Sequence, residues 1–222
     1  MKEAWCRLCM EEITNNQTLF EFLNQDALLC GSCRRELEVL NKTVKLNGMP
    51  LHIAYTYNDF LENMIFQYKE GLDTALRDVF FHDIIKKIND KFRHFTIVFM
   101  PSSEAKTAER GFLPMKEMLH ACRMETIEPF YKTQNHKQSL QSFENRKYIS
   151  QVIKLKPDIV LPKTKLLLVD DVVTSGNTLL CAYDLLQKHT YKIEALALCA
   201  NPRFVESCDK KDLKRKGMFS IL

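Results

Sequence analysis

Leu166-Leu167-Leu168-Val169-Asp170-Asp171-Val172-Val173-Thr174-Ser175-Gly176-Asn177-Thr178 is the stretch whose reading decides the fold. Residues 165–169 are almost wholly apolar, as in a strand buried on both faces of a parallel sheet. The run ends in two adjacent carboxylates, and a turn bearing hydroxyls and glycine then opens a helix striped by Leu179, Ala182, Leu185 and Leu186. In open α/β sheets ligands sit at the carboxyl ends of strands. A turn entering a helix offers unpaired N–H groups and the positive end of the dipole, which suit a phosphate. Thr174, Ser175 and Thr178 add hydroxyl donors, Asn177 lies in the same turn, and Gly176 lets the backbone approach a ligand or adopt a positive φ. Two carboxylates beside such a cradle would repel the phosphate unless they faced something else. Vicinal hydroxyls of a ribose are suitable partners, because an ionised carboxylate only accepts hydrogen bonds. A strand followed by a Thr- or Ser-capped helix would explain Thr174 and Ser175 but leave Asp170 and Asp171 unaccounted for.

Outward from this stretch, strand-like and helix-like segments alternate. Residues 51–57 alternate like a strand, and Leu72, Leu76, Val79, Phe80, Ile84 and Ile88 recur at helical spacing behind Asp73. Residues 96–100 predict a strand ended by Pro101-Ser102-Ser103. Residues 110–122 predict a helix, 126–130 a short strand, 140–149 a helix and 193–199 a last strand. The alternation predicts an α/β fold with a parallel sheet flanked by helices.

The chain has 222 residues, 45% of them hydrophobic, and a formal net charge of +4. That is room for one medium domain and a small appendage, and it excludes disorder throughout. The longest apolar runs, 166–169 and 195–200, fall far short of the ~18–20 residues of a membrane span. Met1-Lys2-Glu3 leads into Trp5-Cys6 without an apolar stretch, so no secretory signal is read and a cytoplasmic location is expected. Eight cysteines include two hooks, Cys6-x2-Cys9 and Cys30-x2-Cys33. In a reducing compartment paired thiols read as metal ligands before disulfides. Two hooks complete a closed tetrahedral site, which predicts structural Zn2+, with an iron–sulfur cluster or a redox pair as the alternatives. The first 45 residues hold a thin apolar set, and six basic against seven acidic side chains give no electrostatic motive for a nucleic-acid finger. The expected organisation is a zinc-binding module at 1–48 and a larger α/β domain at 49–222.

The acid-pair stretch resembles the ribose-phosphate motif of the type I phosphoribosyltransferases. Around it, the two cysteine hooks, Tyr55-Thr56-Tyr57 with Gln67-Tyr68-Lys69, Glu109-Arg110-Gly111-Phe112, and Lys137-Gln138-Ser139 with Asn145-Arg146 follow the order seen in competence protein F (ComFC-like) proteins. One departure is Leu113-Pro114, where that family usually has Asn-Gln. The resemblance implies a type I phosphoribosyltransferase-like fold and binding of 5-phosphoribosyl 1-pyrophosphate with Mg2+. Asp170 and Asp171 would contact the ribose hydroxyls, and Thr174, Ser175, Gly176, Asn177 and Thr178 would hold the 5′-phosphate. Ser102, with Lys106 and Arg110 nearby, would serve the pyrophosphate. It also implies a role in natural transformation, where single-stranded DNA is handled alongside a competence helicase.

A second reading comes from residues 131–156, where Lys132, Lys137, Arg146, Lys147, Lys154 and Lys156 face only Glu144, with Tyr131, Phe143 and Tyr148 interleaved. Such a stretch could track single-stranded DNA, or be a solvated face closing over pyrophosphate. The six histidines carry no readable partner, so no general base is nominated. The protein is therefore read either as a phosphoribosyltransferase or as a DNA-binding scaffold built on that fold.

Overall fold

The computed structural model describes residues 5–13, 27–133, 153–189 and 192–219. Its centre is a six-stranded sheet of order β1-β2-β8-β7-β3-β4: β1 Val39–Leu46, β2 Met49–Thr56, β3 Phe95–Phe99, β4 Thr126–Ile127, β7 Lys165–Val173 and β8 Ile193–Ala200. Every pairing is parallel except the β1–β2 hairpin. A separate antiparallel ribbon joins β5 Phe130–Lys132 to β6 Ile153–Leu155. All residues of β3 and β8 are buried, as are Leu166, Leu167, Leu168 and Val169 of β7, so the middle strands are covered on both faces.

The period-2 alternation of a strand sorts these residues into two cores. Ile97, Phe99, Leu167, Val169, Leu196 and Leu198 face one core; Val98, Leu166, Leu168, Ala195 and Ala197 face the other. The first core is closed by α1 Gly31–Glu36, α2 Asp59–Lys69 and α3 Ile85–Lys91; the second by α6 Asn177–Leu186 and α7 Pro202–Phe219. Two short helices, α4 Glu104–Arg110 and α5 Pro114–Met118, lie between β3 and β4 in sequence. No helix of the described residues is long and apolar enough to cross a membrane.

The α/β sheet is as expected, but several elements differ. The apolar residues from 72 to 88 do not form one helix. Asp73 accepts a bond from the Ala75 N–H and starts a 3-10 turn, Thr74–Asp78, with turns then leading into α3. Val79, Phe80 and Phe81 are all buried, and three consecutive positions of one straight helix would point about 100° apart. The helix expected at 110–122 is interrupted by Gly111, at φ +76°, which ends α4; Pro114 then opens α5. The strand expected at 126–130 splits around Pro129 into β4 and β5, since proline has no N–H for the ladder. The helix expected at 140–149 lies outside the described residues.

The sequence reading missed α2, although Asn58 caps it by accepting from the Leu61 N–H at 2.9 Å and Leu61, Met64, Ile65 and Tyr68 form its buried stripe. It also missed β1, although Asn47 (φ +50°) and Gly48 (φ +92°) make the two-residue turn that Asn-Gly favours. The division drawn at 48/49 falls in this turn.

Gly176 stands at φ +72°, and a Cβ there would lie 2.8 Å from Leu46 Cδ2 and 3.3 Å from Phe204 Cε2. Gly176→Ala is therefore expected to lower the unfolding free energy by about 2 kcal/mol, or about 4–8 °C in Tm. Thermal unfolding of the variant checks this, and an unchanged Tm would contradict the assigned backbone.

Candidate functional site

β3 leaves the sheet opposite Val169, whereas β7 runs on beside β8 to Val173. Asp170 and Asp171 thus lie within the strand, where its β3 edge has become open. A cleft of about 1190 Å³ occupies the space. Pro101, Ser102 and Ser103 form one wall where the chain exits β3, with Lys106 and Arg110 of α4 beyond them. Asp170 and Asp171 come from β7 and Thr178 from the first turn of α6, with Lys132 and Thr133 from the end of β5. Of the turn expected to hold a phosphate, Thr178 alone is among these lining residues. Thr174 and Ser175 are exposed, Gly176 is buried, and Asn177 opens α6, its N–H donating to Ser175 Oγ at 3.4 Å. The departing pair Leu113-Pro114 also lines the cleft, with the Pro114 carbonyl accepting from the Tyr68 hydroxyl at 3.1 Å.

The electrostatics are set by two residues that the sequence reading did not place here. Lys69, at the last position of α2, reaches across the cleft and pairs with Asp171 Oδ2. Lys132, expected on a DNA-tracking stretch, is instead partly buried beside Asp170; Lys137 and the rest of that stretch up to residue 152 lie outside the described residues. Burial pushes the Asp170 carboxyl up to about 6, against the pull of Lys69 and Lys132. Burial likewise lowers the Lys69 ammonium to about 8, with Asp170 opposing. Arg110 is not aimed at the cleft as a lone charge: its Nε donates to the Lys69 carbonyl at 3.1 Å, and its Nη2 pairs with Glu70. The signal that could have found Lys69 is the capped, striped α2, which ends on it.

At the N-terminus, the Sγ atoms of Cys6, Cys9, Cys30 and Cys33 lie within 4.8 Å of one another. Tetrahedral thiolate coordination at about 2.3 Å requires sulfurs about 3.8 Å apart, and Cys9 and Cys30 are 3.6 Å apart. Each hook is a tight turn: the Met10 N–H donates to the Cys6 carbonyl at 3.0 Å, and the Arg34 N–H to the Cys30 carbonyl at 3.0 Å. The Arg7 N–H binds the Leu28 carbonyl at 2.9 Å and ties the hooks together. Burial would raise the Cys6 thiol, but the backbone N–H groups of Cys9, Cys30 and Leu8 bring it down to about 7. These four cysteines can hold a metal ion, and the donor set fits a thiophilic one.

His52 has a partner that the sequence did not reveal. Its Nε2 lies 2.7 Å from Glu194 Oε2, and its Nδ1 lies 2.8 Å from Thr43 Oγ1 and 3.0 Å from Lys91 Nζ. Burial holds the imidazole below its usual range. A neutral ring donating from Nε2 and accepting at Nδ1 satisfies all three contacts, so His52 is a satisfied structural histidine away from the cleft.

A parallel sheet with an acid pair on a central strand, opening on a cationic cleft, is the arrangement of a phosphoribosyltransferase-like protein. Residues 126–218 match the protein family described as phosphoribosyl transferase domain. The chain is 24% identical over 200 residues to competence protein ComFC of Streptococcus pneumoniae, covering 81% of this chain and 90% of that one. It is also 24% identical over 205 residues to competence protein ComFC of Bacillus subtilis, covering 78% and 85%. Among solved structures, adenine phosphoribosyltransferase of Saccharomyces cerevisiae is 15% identical, covering 67% of this chain and 78% of that one, with a TM-score of 0.38.

Proposed function

We propose that the cleft binds 5-phosphoribosyl 1-pyrophosphate with Mg2+, and that the protein uses this site as a phosphoribosyltransferase-like component of natural transformation in the cytoplasm. The observation that carries the reading is the acid pair Asp170-Asp171 on the open edge of β7, facing the loop 101–103 across a cleft rich in lysine. Both carboxylates would accept from the 2′- and 3′-hydroxyls of the ribose. Thr174, Ser175, Gly176, Asn177 and Thr178 would hold the 5′-phosphate at the start of α6, where N–H groups of the first turn lack helical partners. Ser102 and Lys106 would meet the pyrophosphate. Among the described residues the cysteine cluster is the only group of three or more His, Cys, Asp or Glu side chains able to surround an ion. Mg2+ would ride on the pyrophosphate and supply charge neutralisation of the leaving group. Catalysis in such a site would rest on positioning and on stabilising negative charge as C1′ becomes cationic. The similarity to two competence proteins supports the assignment to DNA uptake.

We further assign Zn2+ to Cys6, Cys9, Cys30 and Cys33 in a module whose proposed extent is 1–48, with the phosphoribosyltransferase-like domain at 49–222. A closed four-cysteine site leaves no open position for substrate, so its role is structural. The test of the cleft is calorimetric titration of 5-phosphoribosyl 1-pyrophosphate with Mg2+ into the wild type and the Asp170→Asn, Asp171→Asn double variant. Binding by the wild type and its loss by at least about 100-fold in the variant is expected, from removal of two charged acceptors at about 1.5–3 kcal/mol each. Equal affinity in the two proteins would overturn the assignment.

A further inference from the structure

Asp171 has both carboxylate oxygens engaged: Oδ1 accepts from the Val172 N–H at 2.7 Å, and Oδ2 is paired with Lys69. Asp170 differs, since Oδ1 accepts from the Asp171 N–H at 3.1 Å and no hydrogen bond to Oδ2 is found among the described residues. A diol reaching both acids must therefore displace the Lys69 ammonium from Asp171 Oδ2, whereas at Asp170 Lys69 acts through its charge and holds no hydrogen bond. Lys69 is not a loose surface chain. Its side chain is 18% exposed, and its backbone is clamped by the Arg110 Nε bond to its carbonyl while Arg110 Nη2 holds the neighbouring Glu70. Lys69 also lines the same cleft as Ser102, Ser103 and Lys106. A poorly hydrated ammonium cannot give up one anion without finding another, because a buried unpaired charge is costly.

We propose that Lys69 is a relay cation: it neutralises Asp171 until a ligand's ribose hydroxyls take that carboxylate, then moves onto the ligand's pyrophosphate, with Arg110 as the positioning residue that fixes where Lys69 starts. The proposal rests on the ribose-phosphate reading of the cleft and deepens it. It makes the acid pair selective for ligands carrying both a ribose diol and an anionic group at C1′, because only these repay the displaced ammonium with a new counter-ion. Ribose 5-phosphate shares the diol and the 5′-phosphate but has no anion at C1′, so it must break the Lys69–Asp171 pair without a counter-ion there to replace it.

Opposite responses of two ligands to one substitution provide the test. 5-Phosphoribosyl 1-pyrophosphate and ribose 5-phosphate, each with Mg2+, are titrated into wild type and Lys69→Met at pH 7.5. Lys69→Met is expected to weaken the pyrophosphate ligand by about 10-fold or more, and to leave ribose 5-phosphate unchanged or tighter, since its competitor for Asp171 is gone. The Lys69→Met, Arg110→Gln double variant should be no weaker for the pyrophosphate ligand than Lys69→Met alone, because Arg110 acts through Lys69. Equal weakening of both ligands would overturn the relay in favour of a merely structural lysine, as would an unchanged affinity for the pyrophosphate ligand. A folded wild type that binds neither ligand overturns the ribose-phosphate reading itself, and the relay with it. Should Lys69→Met fail to fold, the wild type alone decides. Raising the pH from 7.5 to 9.5 should weaken the pyrophosphate ligand progressively while ribose 5-phosphate is held or strengthened, and parallel curves would overturn the proposal.

Discussion

Removing the metal from the N-terminal hooks, by chelation or by Cys33→Ser, is expected to lower the Tm by about 10–20 °C rather than merely loosen a terminal appendage. Cys6, Cys30 and Cys33 share one apolar core with Ala54 and Tyr55 of β2 and with Phe80 and Phe81. Arg7 pairs with Asp78, and Arg34 Nη2 lies 2.9 Å from Asp83 Oδ2, so the hooks are fastened to the segment before α3. Burial pushes the Cys33 thiol well above its ordinary range. Without an ion that site must carry either protonated, poorly partnered thiols or thiolates repelling one another. Structural zinc contributes about 10–16 kcal/mol to small peptides that have no other core. Here the α/β domain has its own core, and a loss of about 5 kcal/mol converts to the stated Tm change. Thermal unfolding with and without chelator, together with metal analysis, checks it. About one Zn2+ per chain is expected, and a Cys33→Ser protein of unchanged metal content and Tm would contradict the ligand set.

Asp170→Asn should do two opposite things: raise stability at neutral pH and remove binding of 5-phosphoribosyl 1-pyrophosphate. The Asp170 carboxyl titrates near 6 in the folded protein, against an ordinary value of 3.8. Because the folded value is raised, the favourable contribution is complete below about pH 4 and is lost as the pH rises through 6. At pH 7.5 the native state therefore carries a desolvated carboxylate at a cost of about 3 kcal/mol, and asparagine is expected to recover much of it, for about 6–12 °C in Tm. The advantage should vanish when both proteins are melted near pH 4. Binding runs the other way, since hydroxyl recognition needs the ionised form. Wild-type affinity should fall about tenfold per unit below pH 6, approaching the poor binding expected of the variant at every pH. Equal Tm values at pH 7.5 would remove the claim that this carboxylate is held at a cost. The coexistence of a stability cost with a ligand role is the usual trade-off at a binding site.

Legibility in the sequence followed the range of the interaction. Leu166 to Val169 read as a buried strand because a strand covered on both faces must be apolar at every position, whatever covers it. The Asn58 cap with the α2 stripe and the Asn47-Gly48 turn carry equally local signals that the reading overlooked. The segment 72–88 defeated it for another reason: its spacing suits a helix, and only the demand to bury Val79, Phe80 and Phe81 together broke it.

By itself, then, the sequence determined what backbone-local rules govern. These are the central strand ending in Asp170 and Asp171, the glycine turn into α6, and the paired cysteine hooks whose spacing brings two sulfurs of each to one point. The tertiary structure alone decided which charges meet. Lys69 lies 102 positions from Asp171, and Arg110 lies 41 positions from the carbonyl that it clamps. Nothing in either local sequence encodes the partner, because an ion pair needs only proximity, and proximity here follows from packing the α2 stripe beside β7. Lys132 meets Asp170 from the β5–β6 ribbon, whose Phe130 and Ile153 pack in the other core, and Arg7 and Arg34 fasten the cysteine hooks to the segment before α3.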